Sequence, residues 1–134
     1  MAKLTTIEGI GPTLSTKFKK AGVGSTDALL KFCRDSKGRS EIAKATGITP
    51  KLVLKFANHA DLMRIKGVGG EYSELLEAAG VDTVKELARR DAKALHAKVA
   101  DVNKKKALVR QLPSEKMVKS WVTSAKRLKP MMTY

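Results

Sequence analysis

Apolar positions along this chain recur at helical spacing and are punctuated by glycine. Leu14, Phe18 and Ala21 fall at i, i+4 and i+7, one face of a helix that Gly22 ends. Tyr72, Leu76 and Ala79 repeat that face before Gly80. Pro12 suits the first turn of the earlier helix, where a missing N–H costs nothing. Thr83-Val84-Lys85-Glu86 has capping-box spacing and predicts another short helix, and the stretch 25–33 should match it. Ser40-Glu41-Ile42-Ala43-Lys44-Ala45 predicts a helix stopped by Gly47, and Thr49-Pro50 opens one carrying Leu52, Val53, Phe56 and Ala57. Further along, 92–99 reads as helix, Asp101-Val102-Asn103 as a turn, and 104–112 as a resumed helix. Pro113-Ser114 starts a last helix, lined on one side by Met117, Trp121, Ala125 and Leu128, with Val118 and Val122 beside them. The most loop-like internal stretch is Arg34-Asp35-Ser36-Lys37-Gly38-Arg39, and 130–134 reads as a frayed tail. No stretch alternates with period two, so the expected class is all-α.

The chain also repeats itself. Ile7-Glu8-Gly9-Ile10-Gly11 recurs as Ile65-Lys66-Gly67-Val68-Gly69, displaced by 58 residues. The register continues: Ser15 matches Ser73, Phe18 matches Leu76, and Ala21-Gly22-Val23 matches Ala79-Gly80-Val81. Ser25 then matches Thr83, and Leu29 matches Leu87. Glycines and apolar residues are kept while charges vary, as expected for two copies of one backbone shape. The expected organisation is a first unit over 1–60, a second over 61–129, and a tail over 130–134.

An apolar residue, then Gly-apolar-Gly, then a small residue four positions on, is the pattern of a helix-hairpin-helix motif. It occurs here as Ile7-x-Gly9-Ile10-Gly11-x-x-x-Ser15 and as Ile65-x-Gly67-Val68-Gly69-x-x-x-Ser73. The chain resembles the tandem helix-hairpin-helix domains of DNA repair, recombination and replication proteins. Over residues 4–128 it also resembles an uncharacterised bacterial family, a helix-hairpin-helix-like domain of unknown function. The segments Asp61-Leu62-Met63-Arg64-Ile65-Lys66-Gly67-Val68-Gly69, Gly80-Val81-Asp82-Thr83-Val84-Lys85-Glu86-Leu87, Leu95-His96-Ala97-Lys98 and Val102-Asn103 carry that likeness, with the first glycine motif. The resemblance implies tandem hairpin repeats of short helices in two related halves, and it implies fold more than activity.

The chemistry of such a turn is local. A glycine turn approaches a phosphate closely, and the helix behind it starts with unpaired N–H groups and a partial positive charge. In the first copy Gly9 and Gly11 form the turn, and Thr13, Thr16, Lys17 and Lys20 add donors. In the second copy Lys66, Gly67, Gly69 and Gly70 stand at the turn, but Glu71 replaces Thr13, with Glu74 and Glu77 following.

Charge sharpens the contrast. The 134 residues carry 27 Lys and Arg against 13 Asp and Glu, a formal +14 that attracts polyanions. Residues 1–60 hold +7, residues 61–87 hold −3, and residues 88–134 hold +10. Asn103, Lys104, Lys105 and Lys106 are expected to begin a helix and supply a second phosphate grip, and Lys116 and Lys119 border the last helix. Five lysines on duplex phosphates would give log K a slope of about −4.5 against log salt. Trp121, Tyr72, Phe18, Phe32 and Phe56 fall mostly on faces predicted to be buried, which argues against base stacking.

Catalysis finds little support. His59 and His96 lie on different helices without ligands nearby and read as surface or capping residues; Cys33 reads as a small packing residue. A lone cysteine excludes an internal disulfide and multi-thiolate zinc, and no metal or cofactor is expected. Neither a secretory signal nor an apolar run of membrane-spanning length is visible, so a cytoplasmic protein is expected, nucleoid-associated if it binds DNA. The expected function is non-catalytic, largely sequence-independent binding of nucleic acid, DNA rather than RNA. The rival is a scaffolding module, with the acidic 61–87 segment docking a protein partner; an RNA- or ribosome-associated role is a variant of the first.

Overall fold

The computed structural model describes residues 2–134. Eight α-helices and no strand occur among them: α1 (Pro12–Lys20), α2 (Thr26–Cys33), α3 (Ser36–Thr46), α4 (Pro50–Leu62), α5 (Gly70–Ala78), α6 (Val84–Ala88), α7 (Ala92–Lys106) and α8 (Glu115–Arg127). A 3-10 turn, Leu4–Thr6, precedes α1. The protein is all-α.

The chain forms two compact units. One comprises the described residues through Asp61 together with Met131–Tyr134, and the other is Leu62–Pro130. In the first, α3 packs on α1 and α2. Its core holds Leu4, Ile7, Ile10, Phe18, Val23, Leu29 and Phe56, and the Phe18 and Phe56 rings meet edge to face at 6.2 Å. In the second, α8 packs on α6 and α7, and α5 on α7. Leu75, Leu76, Val81, Val84, Leu87, Val99, Val118 and Trp121 fill that core, with Tyr72 tilted against Trp121 at 5.2 Å.

The sequence repeat is a repeat of hydrogen bonds. Ile10 N–H donates to the Ile7 carbonyl at 3.1 Å, and Val68 N–H to Ile65 at 3.1 Å. Ser15 N–H donates to Gly11 and Ser73 N–H to Gly69, both at 2.9 Å. At the other helix end Val23 N–H reaches Phe18 at 2.8 Å and Val81 N–H reaches Leu76 at 2.9 Å, the 6→1 bond of a Schellman stop with glycine at its left-handed position. Ser25 and Thr83 then cap α2 and α6 with their hydroxyls, accepting from Ala28 and Glu86.

Four local expectations differ from the structure. Helix α7 runs without a break through Asp101-Val102-Asn103 and ends at Lys106, and 107–114 is not helical. Leu95, Val99 and Val102 recur on one face and pack into the core, so tertiary burial overrides the turn propensity of Asp and Asn. In the charged stretch 34–39 only Arg34 and Asp35 are irregular, because Asp35 accepts from Gly38 N–H at 2.7 Å and starts α3 at Ser36. Phe32, expected on a buried face, is 45% exposed. The ending is not frayed: Thr133 N–H donates to the Arg34 carbonyl at 2.8 Å, Met132 is buried, and the Tyr134 hydroxyl lies 3.4 Å from Asn58 Oδ1.

Candidate nucleic-acid interface

The first glycine turn sits between the 3-10 turn and α1. Gly9 takes φ +94°, a left-handed conformation that side chains resist, and a Cβ there would lie 3.3 Å from Phe56 Cε1. Ile10 is buried and pins the turn to the core. Gly11 differs: its backbone is extended (φ −93°, ψ −171°), and a Cβ would meet nothing within 4 Å. The fold therefore places no demand for glycine at position 11, and the space beside it is open.

Gly11 is also the N-cap of α1, and no side chain caps that helix. Pro12 has no N–H to offer, and Ser15 N–H is satisfied by Gly11, which leaves the Thr13 and Leu14 amides as the orphan donors of the first turn. Six other helices are capped by a side chain, through Ser25, Asp35, Thr49, Thr83, Asp91 and Ser114. Only α1 and α5, the two that follow glycine turns, lack one among the described residues. Comparing cap positions along the sequence would have exposed this signal.

Thr13, Thr16, Lys17 and Lys20 all lie exposed on α1, opposite buried Ser15 and Phe18, and their spacing stacks them along one face. The Thr16 hydroxyl donates to the Pro12 carbonyl at 2.9 Å, so the donor expected of it toward phosphate is spent within the helix. Lys17, Lys19 and Lys20 occupy the last turn of α1, beyond the amides of its first turn.

The second turn has the same backbone and different chemistry. Gly67 takes φ +91°, and a Cβ there would lie 3.3 Å from Trp121 Nε1. Lys66 and Gly67 are exposed, Gly69 is half-buried and open to a Cβ, and Gly70 is buried as the first residue of α5. Glu71 stands exposed in that first turn, so a carboxylate already meets the positive end of the helix. Glu74 and Glu77 follow on α5, both half-buried.

The expected second grip is not a helix start. Lys104, Lys105 and Lys106 form the last turn of α7, at the carbonyl end, where cations offset the negative end of the dipole. Lys105 Nζ lies 3.5 Å from Asp101 Oδ2. The Asn103 amide is occupied: its Oδ1 accepts from Val109 N–H at 2.9 Å and its Nδ2 donates to the Val109 carbonyl at 3.2 Å. Asn103 and Lys104 border an open groove with Ala100, Asp101 and Leu112. Lys116 and Lys119 are exposed on α8.

The groups weighed for catalysis are placed otherwise than expected in one case. His59 is fully buried within α4 rather than at the surface. His96 is half-buried, with Nε2 3.0 Å from the Pro113 carbonyl. Cys33 is buried, and loss of hydration pushes its thiol up to about 11, against a lowering by Arg39 and with a further rise from Asp35. No group of three or more His, Cys, Asp or Glu suited to a metal ion occurs among the described residues. No helix among them is long and apolar enough to cross a membrane.

Fold and turns together define an all-helical protein built on a duplicated glycine-punctuated unit. The chain belongs to the family described as a domain of unknown function, DUF4332, whose model matches residues 8–128. No curated protein and no solved structure matches it.

Proposed function

We propose that the protein is a non-catalytic binder of nucleic acid, duplex DNA in preference to RNA, gripping the backbone through a helix-hairpin-helix turn in its first unit. One observation carries this reading. The start of α1 is uncapped and open at Gly11, and the same helix exposes Thr13, Lys17 and Lys20 on one face. A phosphate oxygen beside Gly11 would meet the Thr13 and Leu14 amides, with the lysines following the strand. The second turn, with Glu71 in its helix start, is assigned no phosphate. It fits the other reading, a docking point for a basic protein segment.

A mobility-shift titration on duplex DNA tests the assignment. Gly11→Val fits the extended backbone yet fills the open space, and Lys17→Glu with Lys20→Glu reverses the column. Both variants should fold normally and bind at least about tenfold more weakly. Tight binding unaffected by either overturns the proposal. Partners recovered after nuclease treatment, and lost on Glu71→Lys, would favour the scaffolding reading.

A further inference from the structure

A cavity of about 400 Å³ opens in the first unit between α3 and α4. Ser36, Arg39 and Ser40 of α3 line one side, and Pro50, Lys51 and Leu54 of α4 the other. Arg39 is the unusual member. It is 7% exposed, yet no carboxylate among the described residues forms a salt bridge with it. Its Nη1 donates to the Cys33 carbonyl at 3.1 Å, and the Tyr134 ring centre lies 5.7 Å from its guanidinium carbon. Asp35, at the same helix start, aims its carboxylate at the Gly38 amide instead. A buried cation that no carboxylate touches is costly, and an anion beside it lowers that cost.

The rest of the lining fits such an anion. Lys51 adds a second cation, and Ser36 and Ser40 add hydroxyl donors. Ser36 and Pro50 are the first residues of α3 and α4, whose starts are capped by Asp35 and Thr49, so the charge of the hollow comes from its side chains. Pro50 and Leu54 supply an apolar wall for the carbon skeleton of a ligand. A duplex backbone reaches exposed lysines but not a guanidinium sunk this far, which favours a small molecule over a polymer.

We infer that this cavity binds the phosphate group of a small phosphomonoester. Arg39 and Lys51 carry its charge and Ser36 and Ser40 its remaining oxygens. The site is separate from the glycine turn and does not depend on the reading given to it.

The test is an amide NMR titration of the full-length chain with inorganic phosphate and then glycerol phosphate, at constant ionic strength against chloride. Saturable shifts should centre on Ser36, Ser40 and Lys51. Lys51→Ala, at an exposed position, should weaken binding about tenfold. Arg39→Met, close in volume, should abolish it, and Lys17→Glu should leave it unchanged. Shifts confined to residues 11–14 would favour the turn and overturn the cavity. So would shifts scattered over all lysines, or a Lys51→Ala variant that binds like the parent; that variant decides the matter even if Arg39→Met fails to fold.

Discussion

Gly9 and Gly11 are two residues apart, and physics asks different things of them. Gly9 is held at φ +94° with Phe56 3.3 Å from where a Cβ would stand. Gly9→Ala should therefore lower stability by about 1–3 kcal/mol, read from urea unfolding. Gly11 occupies ordinary extended backbone in open space. Gly11→Ala should leave stability unchanged or raise it by up to about 1 kcal/mol, because alanine restricts the unfolded chain. Cys33 gives a pH signature. Its thiol is raised from 9.0 to about 11, so the unfolded chain loses that proton first. Stability is then complete below pH 9, falls between pH 9 and 11, and levels beyond. Comparing the parent with Cys33→Ala in alkaline unfolding should show a shallower decline in the variant.

Helix ends carry most of what distinguishes one element from another. The α7 terminus is stitched by Asn103, whose amide bonds both the N–H and the carbonyl of Val109. Asn103→Ala should cost about 1–3 kcal/mol by thermal unfolding. The next residue but three, Ala107, sits at φ 50°, the one non-glycine residue at positive φ among those described. Ala107→Gly should stabilise by about 1 kcal/mol for that reason. Helix α3 meets α2 so closely that a Cβ on Gly38 would collide with the Phe32 carbonyl.

These elements also show what sequence reading reached. The turns and α1 were legible, because glycine punctuation and apolar spacing are local and identical in both copies. The end of α7 was not, since Asp101 and Asn103 favour turns locally and only the packing of Val99 and Val102 keeps the helix going. The column Thr13, Thr16, Lys17 and Lys20 was legible for the same local reason as α1. The Arg39 cavity was hidden, because α3 and α4 assemble it from positions that no short pattern joins.

At the scale of the molecule, the net +14 is real but not pooled in one element. Lys104–Lys106 close α7 as Lys17, Lys19 and Lys20 close α1, but α1 also has an uncapped start, and the proposed grip is assigned there. Two lysines of the column, Lys17 and Lys20, would contribute a slope of about −1.8 in log K against log salt. Reversing Lys17 and Lys20 should remove about 1.8 of whatever slope the parent shows, measured by binding across a salt series. A slope indifferent to both changes would move the contact to another basic face.

The closing residues have a temporal meaning. Thr133 bonds Arg34, and Met132 is buried in a unit whose other parts all precede residue 62. During synthesis the first unit must wait for some seventy further residues before its last piece leaves the ribosome. A nascent chain halted in between carries a first unit without its last four residues, and the seam they fill is open to chaperones and proteases. The second unit, contiguous in sequence, has no such delay.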